Sequence, residues 1–118
     1  MVTYNFIEVN SIRIFYRSTT AKDKPCLVLF HGFPSASHMF RDLISKLEND
    51  FYIIAPDYPA FGQSDIPSRE KFTYTFDNIA DIMDTFLQKI GITKFYMYVF
   101  DYGAPIGFRI ALKHPNSI

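Results

Sequence analysis

The chain predicts an α/β fold: a mostly parallel, twisted sheet with helices on both faces, opened by an antiparallel hairpin. Three observations carry this. Short apolar runs at Cys26–Phe30, Phe51–Ala55 and Phe95–Phe100 alternate with helical patterns at about 37–47, from Thr73 or Thr75 to about Ile90, and across Ile106 to Leu112. Such alternation implies parallel strands joined by right-handed crossovers. Ahead of them, two alternating segments meet at Asn10-Ser11, a pair suited to a tight hairpin turn. The length, 118 residues, fits one domain at most.

Tyr4–Val9 and Ile12–Arg17 read as the hairpin strands. In the second, Arg13, Phe15 and Arg17 share one parity and Ile12, Ile14 and Tyr16 the other, as in a half-exposed edge pair. Ser18–Pro25 is a polar loop. Cys26–Phe30 is a wholly apolar strand that runs into His31-Gly32-Phe33-Pro34. The next helix carries Phe40, Leu43, Ile44 and Leu47 on one stripe, with Ser35 or Ser37 available as its cap. After the Phe51–Ala55 strand comes a turn-rich loop, Pro56–Asp65. Thr73 or Thr75 can cap the long helix that follows. Its stripe is Phe76, Ile79, Ala80, Met83, Phe86, Leu87 and Ile90, and Gly91 ends it. Phe95–Phe100 has the pattern of a strand buried on both faces. The last helix carries Ile106, Phe108, Ile110, Ala111 and Leu112.

Ligands of such sheets gather at the carboxyl ends of the strands. Asp101 stands at that end, where a strand turns abruptly into a helix. The unpaired amides of the helix's first turn favour a carboxylate there. Gly103 lets strand and helix approach closely, and Pro105 suits an early helical position. Taken alone, this pattern fits a helix cap as well as a nucleophile.

Val99-Phe100-Asp101-Tyr102-Gly103 resembles the nucleophile elbow of the α/β-hydrolase superfamily, with aspartate in place of the usual serine. An aspartate there is similar to the epoxide hydrolase and haloalkane dehalogenase branch. His31-Gly32-Phe33-Pro34 resembles the His-Gly-x-Pro loop of the same families. Asp57 with Gly62-Gln63-Ser64 resembles their loop after the fourth strand, with Ala60 where a first glycine is usual. The resemblance implies the three-layer, N-terminal part of an α/β-hydrolase fold. It implies that Asp101 is a nucleophile forming an alkyl-enzyme ester on a small organic substrate. It makes the backbone amides of Phe33 and Tyr102 an oxyanion hole. It implies a cis Phe33–Pro34 bond and gives His31, Gly32, Pro34 and Gly103 supporting roles, with His31 bracing its loop. Asp57 and Ser64 read as loop architecture. In dehalogenases, an Asn after His-Gly and a Trp after the nucleophile bind the halide. Phe33 and Tyr102 occupy those places here, which leans the reading towards an epoxide hydrolase or another hydrolase.

The resemblance runs from about Phe6 onward and covers the front half of the family's core. Residues 1–118 are therefore expected to be the N-terminal portion of a single hydrolase domain, lacking the cap, the acid and the base histidine. Such a portion is expected to be inactive and poorly soluble alone. The alternative is a non-catalytic binding or interaction module that keeps the elbow as architecture.

Other functions fit poorly. Twelve basic residues balance twelve acidic ones and form no basic stripe, which argues against nucleic acid. No stretch is long and apolar enough to span a membrane, and MVTYNFIEVN lacks the layout of a signal peptide. Cys26 is the sole cysteine, consistent with a cytoplasmic setting. His31, His38 and His114 show no metal-ligand spacing with Cys26. No dinucleotide fingerprint, phosphate loop or Gly-x-Ser-x-Gly occurs, so no cofactor and no serine nucleophile is called for. His38 and His114 read as exposed helix residues, and the aromatics of the two later helices as core.

Overall fold

The computed structural model describes residues 1–118. Strands β1 (Val2–Val9), β2 (Ile12–Thr19), β3 (Cys26–Phe30), β4 (Tyr52–Pro56) and β5 (Tyr96–Val99) form one sheet in the order β1-β2-β4-β3-β5. β2 runs antiparallel to both its neighbours, β1 and β4, whereas β3 runs parallel to β4 and β5. The hairpin turn places Asn10 and Ser11 at φ 49° and 67°, the paired left-handed values of a two-residue turn.

Side-chain alternation along each strand feeds two layers. Leu29, Ile53 and Ala55 point to one face and bury Phe40 and Ile44 of a 3-10 turn (Ser37–Phe40) and helix α1 (Arg41–Leu47). Val28, Phe30 and Ile54 point to the other, where helices α2 (Phe76–Lys89) and α3 (Gly103–Lys113) pack. The helix–sheet–helix architecture is the one the alternating pattern predicts. Thr75 caps α2, its side chain accepting from the Asn78 amide at 3.0 Å. No helix is long and apolar enough to cross a membrane.

Five expectations change in detail. The 37–47 helix begins as a 3-10 turn and has no side-chain cap: Ala36 stands at its N-cap, and the Ser37 amide donates instead to Asp57 Oδ1 at 2.7 Å. β2 is an interior strand, and Arg17 on its expected open face is buried. Its Nε donates to Ser37 Oγ at 2.9 Å, and its guanidinium lies 5.2 Å from the Tyr4 ring centre. β5 is covered on one face only: Met97 and Val99 pack against the core, while Tyr96 and Tyr98 are exposed. In α3, Ile106 and Ile110 face the sheet. Phe108 and Leu112, two residues out of step with them, fall on the far side and are exposed. His114 is half-buried, not exposed, because its Nε2 lies 3.0 Å from Oδ2 of the buried Asp84.

Candidate active site

β3 and β5 lie side by side, so the loops leaving their carboxyl ends meet. Their register pairs Phe30 with Val99, one residue before each loop departs. Beyond that pair, the Phe100 amide donates to the Phe30 carbonyl at 3.2 Å. The chain then reverses at Asp101, whose φ is +56°. That conformation is costly for most side chains, and aspartate is among those that tolerate it. α3 starts two residues later. Its third residue is Pro105, whose missing N–H falls among amides that have no intrahelical partner.

The turn is tight because two glycines make it possible. A Cβ on Gly103 would lie 2.3 Å from the Phe30 carbonyl oxygen, and one on Gly32 would lie 2.4 Å from Asp101 Cβ. Backbone and side chain could not approach this closely with any larger residue. The Phe33–Pro34 bond is cis.

The carboxylate of Asp101 therefore faces two main-chain donors from separate loops. Oδ2 accepts from the Phe33 amide at 2.9 Å and from the Tyr102 amide at 2.8 Å. These two bonds hold the carboxyl pKa below its ordinary value, a slight desolvation opposing them. Oδ1 accepts no hydrogen bond from the chain and stands open to solvent.

His31 lies beneath the loop. It is fully buried, its ring stacked 4.0 Å from that of Tyr58, and its Nδ1 lies 3.0 Å from the Gly32 carbonyl oxygen. A carbonyl can only accept, so the proton sits on Nδ1, leaving the buried Nε2 without a partner. Burial lowers its pKa, opposed by the Gly32 carbonyl and the charge of Asp57. Tyr58 donates from its hydroxyl to the His31 carbonyl at 2.6 Å. The His31 ring is thus enclosed under its loop, turned to Tyr58 and the Gly32 carbonyl.

Asp57 and Ser64 tie the loop after β4 to its neighbours. Asp57 Oδ2 accepts from the Gln63 amide at 3.0 Å while Oδ1 holds Ser37. The Ser64 hydroxyl donates to the Asp57 carbonyl at 2.7 Å and accepts from the Phe15 amide at 2.9 Å. Ala60 takes the strained turn at φ +71°.

One part of the site is not evident from the sequence. Phe33, Phe61, Tyr74, Thr75, Phe76, Ile79 and Tyr102 line a mostly apolar cavity of about 360 Å³, two of them, Phe33 and Tyr102, being the residues whose amides hold Asp101. Phe76 is half-buried there, not core, with its ring 4.9 Å from that of Tyr102. The signal was its place immediately after the Thr75 cap, at the end of α2 where the loops gather. Among groups of His, Cys, Asp and Glu, none is arranged to hold a metal ion.

Residues 25–118 match the family model described as the alpha/beta hydrolase fold. The chain is 44% identical over 109 residues to an uncharacterised hydrolase of Saccharomyces cerevisiae, across 92% of this chain and 37% of that protein. It is 32% identical over 103 residues to a haloalkane dehalogenase of Bradyrhizobium diazoefficiens, across 87% of this chain and 32% of that one. It is 34% identical over 113 residues to a cis-3-alkyl-4-alkyloxetan-2-one decarboxylase of Xanthomonas campestris pv. campestris, across 91% and 38%. A crystallised haloalkane dehalogenase loop variant from Bradyrhizobium elkanii superposes with a TM-score of 0.93, over 99% of this chain and 38% of that chain, at 27% identity. The chain thus spans about a third of the length of these relatives, 32% to 38%. With this sheet order, this bend and this match, the chain belongs to the α/β-hydrolase fold family.

Proposed function

We propose that Asp101 is the nucleophile of a hydrolase that forms an alkyl-enzyme ester with a small organic electrophile, an epoxide or an alkyl halide. The observation that carries this is the division of labour within one carboxylate. Oδ2 is held by two amides, while Oδ1 is unpartnered and open. Oδ1 attacks an sp3 carbon; the carbon–oxygen bond forms as the epoxide C–O or carbon–halogen bond breaks. The electron pair leaves with the oxygen, which takes a proton from water, or with the halide. Oδ2 then becomes the ester carbonyl oxygen, already seated where charge develops when water attacks Cγ. The depressed pKa keeps the carboxylate ionised for attack.

No residue of this chain is proposed as the base that activates the water. His31 does not serve, being buried against Tyr58 with Nδ1 turned to Gly32. The side chains of Phe33 and Tyr102, where dehalogenases present Asn and Trp, offer no N–H to a leaving halide. This favours epoxides over halides. The first step needs only groups of this chain, so the test reads the ester and not turnover. Incubation with a terminal epoxide should add the mass of one epoxide, mapped by peptide sequencing to Asp101. Asp101→Asn, with its fold checked by circular dichroism, should take up none. Cys26 is a weak competitor, because burial pushes its thiol pKa up to about 11. Equal labelling of Asp101→Asn, or none of either protein, overturns the assignment.

A further inference from the structure

We propose that the substrate is an uncharged molecule bearing an aryl group, and that Phe76 is a specificity residue that holds this group. The inference rests on Asp101 being the nucleophile. The cavity lined in part by Phe33 and Tyr102, whose amides hold Asp101, has six hydrophobic lining residues, one polar one, Thr75, and no charged one. Four of them are benzenoid rings that meet one another. Phe33 lies 5.2 Å from Tyr102 and 6.3 Å from Phe61, and Phe76 meets Tyr102 edge-on at 4.9 Å. These are the separations at which aromatic rings attract beyond simple burial, so a further ring entering the cavity finds both faces and edges. Phe33 and Tyr102 also contribute the two amides that hold Asp101. A group seated between their side chains is therefore anchored next to the attacking oxygen. Both rings remain substantially exposed, at 57% and 36%, which leaves room for an occupant.

The other clefts do not compete. One of about 300 Å³ between α2 and α3 is lined by Asp77, Asp81, Asp84, Arg109 and Lys113, whose charges already pair with one another. A larger one of about 450 Å³ lies by the β1–β2 turn, around Asn10, Ser11 and Lys71. Neither includes Phe33 or Tyr102, the residues that hold Asp101.

The test compares ester formation with a phenyl-bearing terminal epoxide and with a straight-chain epoxide of equal carbon count, which matches hydrophobicity. The phenyl compound should label Asp101 at a lower half-saturating concentration. Phe76→Ala should raise that concentration about fivefold, the scale of one lost ring–ring contact, and raise it by a clearly smaller factor for the straight-chain compound. Phe76→Leu keeps apolar bulk without the ring and should behave like Phe76→Ala; it serves should the alanine variant fail to fold. Equal labelling by both epoxides, unchanged by either substitution, overturns the inference while leaving Asp101 as nucleophile. If neither epoxide labels the chain, the nucleophile reading fails. Calorimetric titration with the matching phenyl and alkyl diols then decides the cavity separately. Phenyl-selective binding weakened by Phe76→Leu supports the aryl site, and its absence refutes it.

Discussion

Asp101 and Ala60 adopt the same left-handed backbone for different reasons. At Asp101 the strained bend presents a carboxylate to two amides. At Ala60 the side chain does nothing comparable: the residue is exposed, and only its amide is engaged, donating to the Asp65 carbonyl at 2.8 Å. Left-handed backbone costs a non-glycine residue about 1–2 kcal/mol. Glycine gives back about 0.4–1 kcal/mol through the entropy of the unfolded chain. Ala60→Gly should therefore stabilise the fold by up to about 1 kcal/mol, read as a higher denaturant midpoint at unchanged slope. The departure from glycine is visible in the sequence; its cost is visible only in the dihedral.

His31 carries a pH dependence with a definite sign. Burial depresses its pKa below the ordinary 6.5. The unfolded chain takes up the proton first as pH falls, so stability is lost between about pH 6.5 and the lower native value. Urea midpoints at about pH 7.5 and pH 5.5 should differ in the wild type, and His31→Phe should flatten that part of the difference. The His-Gly-Phe-Pro motif suggests a loop-bracing residue. The stacking on Tyr58 and the burial behind this effect depend on long-range packing that motif spacing does not contain.

Among the elements, the loop after β4 and the turn before α1 are joined through one carboxylate. Asp57 bonds the Ser37 amide, which a local serine cap would otherwise have served, and the Gln63 amide. Asp57→Ala leaves the buried Ser37 amide without its acceptor, and hydrogen bonds to charged groups contribute about 1.5–3 kcal/mol each. A loss of about 3 kcal/mol is expected, measurable by thermal or denaturant unfolding. The cap of α2 was legible because Thr75 and Asn78 are neighbours in sequence. The cap before α1 was not, because its acceptor lies twenty residues away and sequence offers only Ser35 and Ser37. The clasp of His114 on Asp84, thirty residues apart, escaped notice for the same reason.

At the scale of the molecule, strand identity, crossovers and the three layers followed from periodicity. Exposure of β5 did not. A continuous apolar run looks alike whether one face or both are covered; the strand order of the resembled family implies an edge position for this strand, and the sheet order places β5 there. Its outer backbone is unpaired, and Tyr96 and Tyr98 beside it are open at 62% and 48%. Such an edge invites pairing with another strand, and a charge there discourages it. Sedimentation velocity should show concentration-dependent association that Tyr96→Lys shifts towards monomer. A distribution unmoved by the substitution would place the contact elsewhere.

The two amides that grip Asp101 belong to residues sixty-nine positions apart, brought level by the pairing of β3 with β5. A slip of one residue between those strands turns every side chain to the opposite face. Molecules with that slip would lose the grip while keeping most of their strand content. Covalent labelling of Asp101, titrated against total protein, would then count correctly zipped molecules, a census of folding taken by chemistry.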